Sequence, residues 1–227
     1  MFRDFINLIY PNLCPICCDS IPSNDMSWCL KCDLNLPKTY INPKSTNSMH
    51  KALSYVCPVQ IAYSSFYFKK GNGIQKLLHK LKYKGKQEIG TKLGQYVARD
   101  LLINASANDF DALLAVPLHP SKLLIRGYNQ ALVIAEAIAY DLNRPVLKHI
   151  LERVETTSTQ TKKSRFKRWE NVQDAFQVTK DSNLKGKHIA VVDDVFTTGA
   201  TLGACLKALH KIEGIKLSVL TVALADY

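Results

Sequence analysis

Two adjacent acids, Asp193 and Asp194, stand in the stretch VVDDVFTTGAT, between an apolar segment and a run of threonines. The apolar residues 189–192 predict a buried strand. After the threonines, apolar residues recur at helical spacing, at Leu202, Cys205, Leu206 and Leu209. The two acids are therefore predicted to lie at the carboxyl edge of a strand, beside the start of a helix.

The threonine-rich turn has the composition of a phosphate cradle. In α/β sheets ligands bind outside the carboxyl ends of the strands, and a helix start offers unpaired N–H groups. Small and hydroxylated residues around one glycine let a phosphate approach these groups: Thr197, Thr198, Gly199, Ala200 and Thr201. Carboxylates repel phosphate, so Asp193 and Asp194 need sugar hydroxyls or a divalent cation instead. A ligand with both a phosphate and a ribose fits; a βα turn that binds no nucleotide is the alternative.

This stretch resembles the 5-phosphoribosyl-1-pyrophosphate (PRPP) signature of type I phosphoribosyltransferases. The resemblance implies that the paired acids bind the ribose 2′ and 3′ hydroxyls and that the Thr/Gly loop holds the 5′-phosphate. It also implies an α/β fold with a mostly parallel, Rossmann-like sheet flanked by helices.

Five of the seven cysteines precede residue 33, in CPICC and CLKC. Each C-x-x-C turn, Cys14 with Cys17 and Cys29 with Cys32, can present two thiolates to one tetrahedral ion, which predicts a structural Cys₄ zinc site. A disulfide framework is the competing interpretation, and an odd number of cysteines in a cytosolic chain disfavours it. Cys18 could replace Cys17 as a ligand, so the sequence leaves the register of the site open.

The net charge of +11 is concentrated in two runs. Seven lysines and no acid lie between Phe68 and Gln87, and KKSRFKR (162–168) holds five cations. Such patches attract nucleic acid or phosphorylated ligands, and a solvated helix face is the alternative. The residues predicted to contact nucleic acid are Lys76, Lys80, Lys82, Lys84 and Lys86.

The middle of the chain repeats a strand, turn and helix pattern. Residues 59–68 alternate and predict a strand, and the helix after Gly73 has an apolar face formed by Ile74, Leu77, Leu78 and Leu81. Residues 112–116 predict a second strand, and an apolar helix is predicted from about Asn129. Between them, a loop stiffened by prolines carries the cationic groups His119, Lys122 and Arg126.

Residues 155–176 are rich in threonine, serine and cations and have no clear periodicity at their start. A mobile basic loop of this kind can close over an anionic ligand, and a nucleic-acid contact is the alternative. The candidate loop residues are Gln160, Lys162, Lys163, Arg165 and Arg168.

The order of these motifs is similar to that of the ComF family of late competence proteins. The match rests on the Cys₄ segment, LKYKG, VPLHP with RGYNQA, STQT with RWENVQDAF, and VVDDVFTTGAT. It implies a phosphoribosyltransferase-like domain fused to a zinc finger, acting in the cytoplasm during uptake of single-stranded DNA. It further implies cytosolic DNA-uptake or recombination proteins as partners.

Position by position, the family pattern makes Asp193 and Asp194 the pair that binds ribose and Mg²⁺, and makes residues 197–201 the 5′-phosphate loop. Pro117, Leu118 and the residues up to Ser121 match the pyrophosphate loop, and residues 158–168 match the flexible loop. The sequence departs from the pattern at Cys18, where glycine is common, and at Phe196, which is bulkier than the usual aliphatic residue. We expect Phe196 to pack under the loop.

Three regions are predicted: a Cys₄ module at 1–40, a connecting segment at 41–57 and a phosphoribosyltransferase-like domain at 58–227. No run of about 18 apolar residues predicts a membrane span, and residues 2–10 lack the features of a signal peptide, so a soluble cytosolic protein is expected.

Three functions follow as hypotheses: a PRPP-dependent transferase with an unidentified acceptor, a non-enzymatic carrier of single-stranded DNA, and a PRPP-sensing regulator. Thr197 occupies the position at which purine-salvage relatives place an acid as general base, and a hydroxyl cannot accept a proton near neutral pH. An acceptor that needs deprotonation is therefore disfavoured, unless the base lies elsewhere.

Overall fold

A computed structural model describes residues 11–21, 27–153, 176–179 and 184–225. Its main feature is a parallel five-stranded sheet in the order β1-β7-β6-β2-β3. These strands are β1 (Ala62–Phe68), β2 (Ala112–Ala115), β3 (Val146–Leu147), β6 (His188–Phe196) and β7 (Lys216–Ala225). The short strands β4 (Leu151–Arg153) and β5 (Phe176–Val178) form a separate antiparallel pair.

The described helices are α1 (Leu30–Leu34), α2 (Ser48–Leu53), α3 (Gly73–Tyr83), α4 (Gln87–Ile103), α5 (Pro120–Arg126), α6 (Gln130–Leu142) and α7 (Ala200–Leu209). The apolar faces predicted for α3 and α7 are buried in the structure. The helix predicted from about Asn129 is also present. It begins there because the Asn129 side chain caps α6 by accepting a hydrogen bond from the Ala131 N–H.

Helices cover both faces of the sheet. In the central strand β6, Ala190 and Val192 pack into one buried cluster with α3, α4 and α6. Ile189 and Val191 pack into the other, with α2, α7 and the β4–β5 pair. Burial on both sides explains why the strand reads as an unbroken apolar run. The predicted α/β class, with a parallel sheet flanked by helices, is confirmed.

The N-terminal segments pack on the cores of the sheet. Cys14, Trp28 and Leu36 belong to the same buried cluster as α3 and α4. Met49 and Leu53, on α2, belong to the opposite cluster. The boundaries at residues 40 and 57 stay a prediction.

Two local predictions were wrong. Asp193 and Asp194 lie inside β6, because β7 continues to pair with it as far as Phe196. Residues 120–126 form the helix α5 where a loop was expected. Pro120 occupies its first position, and Gly127 ends it in the left-handed conformation, with φ of 76°.

No helix in the described ranges combines the length and apolar character needed to cross a membrane.

Candidate functional site

The two acids lie where one neighbouring strand has ended and the other continues. On one side, the Val116 N–H donates to the Val192 carbonyl at 2.9 Å, and the chain then leaves the sheet at Pro117. On the other side, Asp193 stays paired with Thr221 of β7. The end of β2 therefore opens the sheet edge beside Asp193 and brings the predicted pyrophosphate loop next to it.

The acid pair is enclosed by protein. Asp194 is 5% exposed, and the Asp194 N–H donates to Oδ1 of Asp193 at 2.8 Å. Asp193 keeps some exposed surface, yet the surrounding atoms desolvate its carboxyl group. This desolvation and the neighbouring Asp194 carboxylate raise the pKa of Asp193 to about 7, against the opposing effects of the Asp194 N–H, Lys82 and Lys122.

The threonine loop leads into a helix start that is open to a ligand. Gly199 is the N-cap of α7 and has no side chain that could accept a hydrogen bond from the first-turn N–H groups. Thr197 and Thr198 are exposed, and Oγ1 of Thr198 accepts a hydrogen bond from the Ala200 N–H at 3.4 Å. An anion can therefore approach both hydroxyl and backbone donors here.

Glycine is required at position 199. Its φ is 76°, in the left-handed region, and a Cβ there would lie 2.8 Å from Cζ of Phe196. Phe196 is 3% exposed and lies against the loop, in agreement with the expectation that it packs there. The bulky ring thus supports the close turn that presents the helix start.

The segment after β2 contributes cations and a capped helix. Nδ1 of His119 accepts a hydrogen bond from the Ser121 N–H at 3.2 Å and lies 2.7 Å from the Ser121 hydroxyl oxygen. His119 therefore has a structural role at the start of α5. Lys122, on the first turn, is exposed and acts electrostatically on Asp193.

The last turn of α3 also contributes to the candidate site. The sequence analysis did not predict this contribution. Nζ of Lys82 lies 2.8 Å from Oδ2 of Asp194, and the two side chains are 23% and 7% exposed. The guanidinium of Arg126 lies 5.3 Å from the centre of the Tyr83 ring. Helical spacing offered one signal, because Lys82 lies on a different side of α3 from Lys76, Lys80 and Lys84.

The other lysines of the predicted nucleic-acid surface differ in environment. Nζ of Lys76 donates to the Ile16 carbonyl at 2.9 Å, and Lys86 lies 3.5 Å from a Glu88 carboxylate oxygen. Lys84 is exposed and Lys80 is half-buried. The structure thus separates Lys82 from the exposed cations of the run.

A cavity of about 450 Å³ lies beside the β2 loop, at the carboxyl ends of β2 and β3. Its lining includes Pro117, Leu118, Asn129, His149 and Arg153. The predicted loop residues Gln160, Lys162, Lys163, Arg165 and Arg168 lie outside the described residues.

Four cysteines form a separate cluster. The Sγ atoms of Cys14, Cys17, Cys29 and Cys32 all lie within 4.8 Å of one another. Four thiolates at about 2.3 Å from a tetrahedral ion would be about 3.8 Å apart, and Sγ of Cys17 lies 3.6 Å from Sγ of Cys29. The donor set and spacing fit zinc.

The structure also distinguishes Cys17 from Cys18 as the second cysteine of the cluster. Cys18 is exposed, lies outside the cluster and has a φ of 67°. Its left-handed backbone explains why glycine suits this position in the family pattern. Cys17, and not Cys18, belongs to the cluster.

The relatives that match the chain include competence and DNA utilization proteins. Competence protein F of Haemophilus influenzae is 31% identical over 159 residues, covering 70% of this chain and 64% of its own length. DNA utilization protein YhgH of Escherichia coli (strain K12) is 27% identical over 136 residues, covering 59% of each. Competence protein ComFC of Bacillus subtilis is 26% identical over 148 residues, covering 60% of this chain and 53% of its own. The chain therefore spans less than two thirds of these relatives.

No family model matches the chain. Among solved structures, a hypothetical protein of Neisseria gonorrhoeae with bound ppGpp gives a TM-score of 0.38 at 17% identity, covering 59% of this chain and 66% of its own. Purine phosphoribosyltransferase of Pyrococcus horikoshii gives 0.36 at 15% identity, covering 56% and 80%. Adenine phosphoribosyltransferase of Leishmania tarentolae gives 0.39 at 11% identity, covering 63% and 73%.

Proposed function

Because the chain is a homologue of competence protein F, YhgH and ComFC, we propose that it is a PRPP-binding protein of natural competence, acting in the cytoplasm on or with imported single-stranded DNA. The observation that carries the proposal is the acid pair of β6 beside the open start of α7. This arrangement offers acceptors for ribose hydroxyls at the end of β6 and donors for a phosphate at the start of α7, within one continuous segment.

The charges around the site suit a ligand with phosphates at two ends. The start of α7 would hold the 5′-phosphate, and the segment after β2, with Lys122 on α5, would face the pyrophosphate. Asp193 and Asp194 would accept hydrogen bonds from the hydroxyls of the ribose, which lies between the 5′-phosphate and the pyrophosphate. Their carboxylate oxygens are also suitable Mg²⁺ ligands, and the ion would supply charge neutralisation of the pyrophosphate.

If the protein is a phosphoribosyltransferase, a nitrogen nucleophile would form a bond to C1 of the ribose as the bond to pyrophosphate breaks. The two carboxylates would stabilise positive charge that develops on the sugar, and Lys122 would stabilise the departing pyrophosphate. Thr197 stands where some relatives carry an acid, so the loop itself supplies no general base.

The proposed structural ion of the Cys₄ cluster is Zn²⁺. Four thiolates leave no open coordination position, so the chemistry that it supplies is cross-linking of the N-terminal segment. The division into a module at 1–40, a connector at 41–57 and a domain at 58–227 is part of this proposal.

Calorimetric titration of the zinc-loaded protein with PRPP and Mg²⁺ tests the proposal. We expect binding, and a loss of affinity of at least about 100-fold in Asp193→Asn/Asp194→Asn, because two charged hydrogen-bond acceptors are removed. Asp141→Asn, an exposed acid at the end of α6, serves as the control. Absence of binding to the unmodified protein would refute the proposal.

A non-catalytic DNA carrier is the second candidate. It is favoured by three cations at four-residue spacing, Lys76 and Lys80 on one side of α3 and Lys84 at its C-cap. A cationic helix side of this kind tracks a phosphate backbone without sequence preference. Salt-dependent binding of single-stranded DNA together with no PRPP binding would favour this candidate.

A further inference from the structure

Lys82 belongs by sequence to the lysine run but by position to the ligand site. Its Nζ atom lies 2.8 Å from Oδ2 of Asp194, and its side chain is only 23% exposed. We infer that Lys82 is a positioning residue of this site, the counter-ion that allows an anionic ligand to approach Asp193 and Asp194. This inference rests on the proposed binding of PRPP.

The turn that carries Lys82 is fixed from both sides. The Tyr128 hydroxyl donates a hydrogen bond to the carbonyl oxygen of Leu81, whose side chain is fully buried. On the other side of Lys82, the guanidinium of Arg126 lies over the Tyr83 ring, 5.3 Å from the ring centre. The segment that follows the predicted pyrophosphate loop therefore holds Lys82 in place against the acids.

A second observation concerns the other end of the same helix. The first residue of α3, Gly73, packs so closely on the cysteine segment that a Cβ would lie 3.3 Å from Leu36 and 3.4 Å from Ile16. With both ends in contact, α3 has little freedom to rotate and turn Lys82 toward solvent. The contact with Asp194 is thus a consequence of how the helix is packed.

The charge of Lys82 has opposite consequences for two kinds of ligand. Two adjacent carboxylates repel a polyphosphate, and a cation paired with one of them reduces that repulsion. The same cation competes with a free metal ion for the Asp194 oxygens. Removal of Lys82 should therefore weaken the binding of PRPP and strengthen the binding of a divalent cation alone.

The test is calorimetric titration of four proteins: the unmodified chain, Lys82→Gln, Lys82→Arg and the control Lys211→Gln. The control removes the same charge from an exposed residue beyond the far end of α7. Each is titrated with PRPP plus Mg²⁺ and, separately, with Mn²⁺ alone. For Lys82→Gln we expect about tenfold weaker PRPP binding and tighter Mn²⁺ binding. Lys211→Gln should match the unmodified protein, and Lys82→Arg should restore most of the PRPP affinity.

The outcomes separate this inference from the proposed function. If the unmodified protein binds PRPP and Lys82→Gln binds it equally well, Lys82 is no positioning residue and the proposed function stands. If Lys82→Gln weakens the binding of both PRPP and Mn²⁺, the lysine serves only to keep the site folded and the inference is overturned. If the unmodified protein does not bind PRPP, the proposed function fails, and the inference fails with it.

Discussion

Nζ of Lys76 donates a hydrogen bond to the carbonyl oxygen of Ile16, which lies between the first two cysteines of the cluster. About one and two-thirds helical turns further on, Lys82 of the same helix contacts Asp194. The helix α3 therefore joins the cysteine cluster to the ligand site. Loss of order in the cysteine segment should therefore disturb the contact between Lys82 and Asp194.

Removal of the metal should consequently weaken the ligand site as well as the N-terminal segment. Cys14 is 1% exposed, so Cys14→Ser removes a buried ligand. We expect less than one zinc per chain by mass spectrometry, a lower melting temperature and weaker PRPP binding, because structural zinc supplies on the order of 10 kcal/mol to such segments. Cys18→Ser should retain one zinc. Full zinc occupancy in Cys14→Ser would show that the cluster is not the metal site.

Gly199→Ala should destabilise the protein more than the backbone conformation at this position alone explains. The left-handed φ costs an alanine about 1–2 kcal/mol, and contact with the Phe196 ring adds overpacking of about 1–3 kcal/mol. Gly186→Ala is a matched control, since its φ is 71° and a Cβ there meets no atom within 4 Å. Urea denaturation of both variants measures the difference. Equal free energies of unfolding would contradict the close contact.

Replacement of Lys80 and of the C-cap residue Lys84 should weaken DNA binding in a salt-dependent manner. For single strands, each neutralised phosphate contributes about 0.7 to the slope of log K against log salt. Lys80→Gln/Lys84→Gln should therefore lower that slope by about 1.4 in fluorescence titrations with oligo-dT. Lys82→Gln should leave it unchanged, because Lys82 is paired with Asp194. A larger effect from Lys82→Gln than from the double variant would place DNA in the proposed PRPP site.

Gly94→Ala tests the packing of α4 on α6. An added Cβ would lie 2.7 Å from the Ala137 Cβ and 2.7 Å from the Ile134 carbonyl oxygen. We expect about 1–3 kcal/mol of destabilisation from overpacking, although alanine normally favours a helix. Gly90→Ala should cost less, since its nearest neighbours, at 3.0 Å, are the side-chain ends of Leu81 and Val133. Thermal denaturation that ranks the two in the opposite order would contradict the packing.

Periodicity predicted the elements that carry the site. The apolar spacing of α3 and α7 and the apolar run of β6 correspond to buried faces, since burial is what selects such patterns. The end of β6 was misplaced because its length is set by the neighbouring β7, and strand pairing leaves no local signal. The helix α5 was missed because its three consecutive aliphatic residues, Leu123, Leu124 and Ile125, are exposed and show no buried face.

The candidate site was only partly predictable for a related reason. Asp193, Asp194 and the threonine loop are adjacent in sequence, so the pattern contains their juxtaposition. Lys82 lies 112 residues before Asp194 and reaches it only through the packing of α3. The cysteine register was open for a different reason, because a left-handed φ at Cys18 has no signature in composition.

The strand order has a consequence for how the chain is made. β7 lies between β1 and β6, so β1 gains its neighbour in the parallel sheet only when residues 216–225 have left the ribosome. Until then, the strand that carries Asp193 and Asp194 lacks the partner that holds its last residues in register. Such non-local pairing forms late. A nascent chain should therefore acquire the proposed ligand binding only after residues 216–225 have emerged, in the same step that pairs β7 with both of its neighbours.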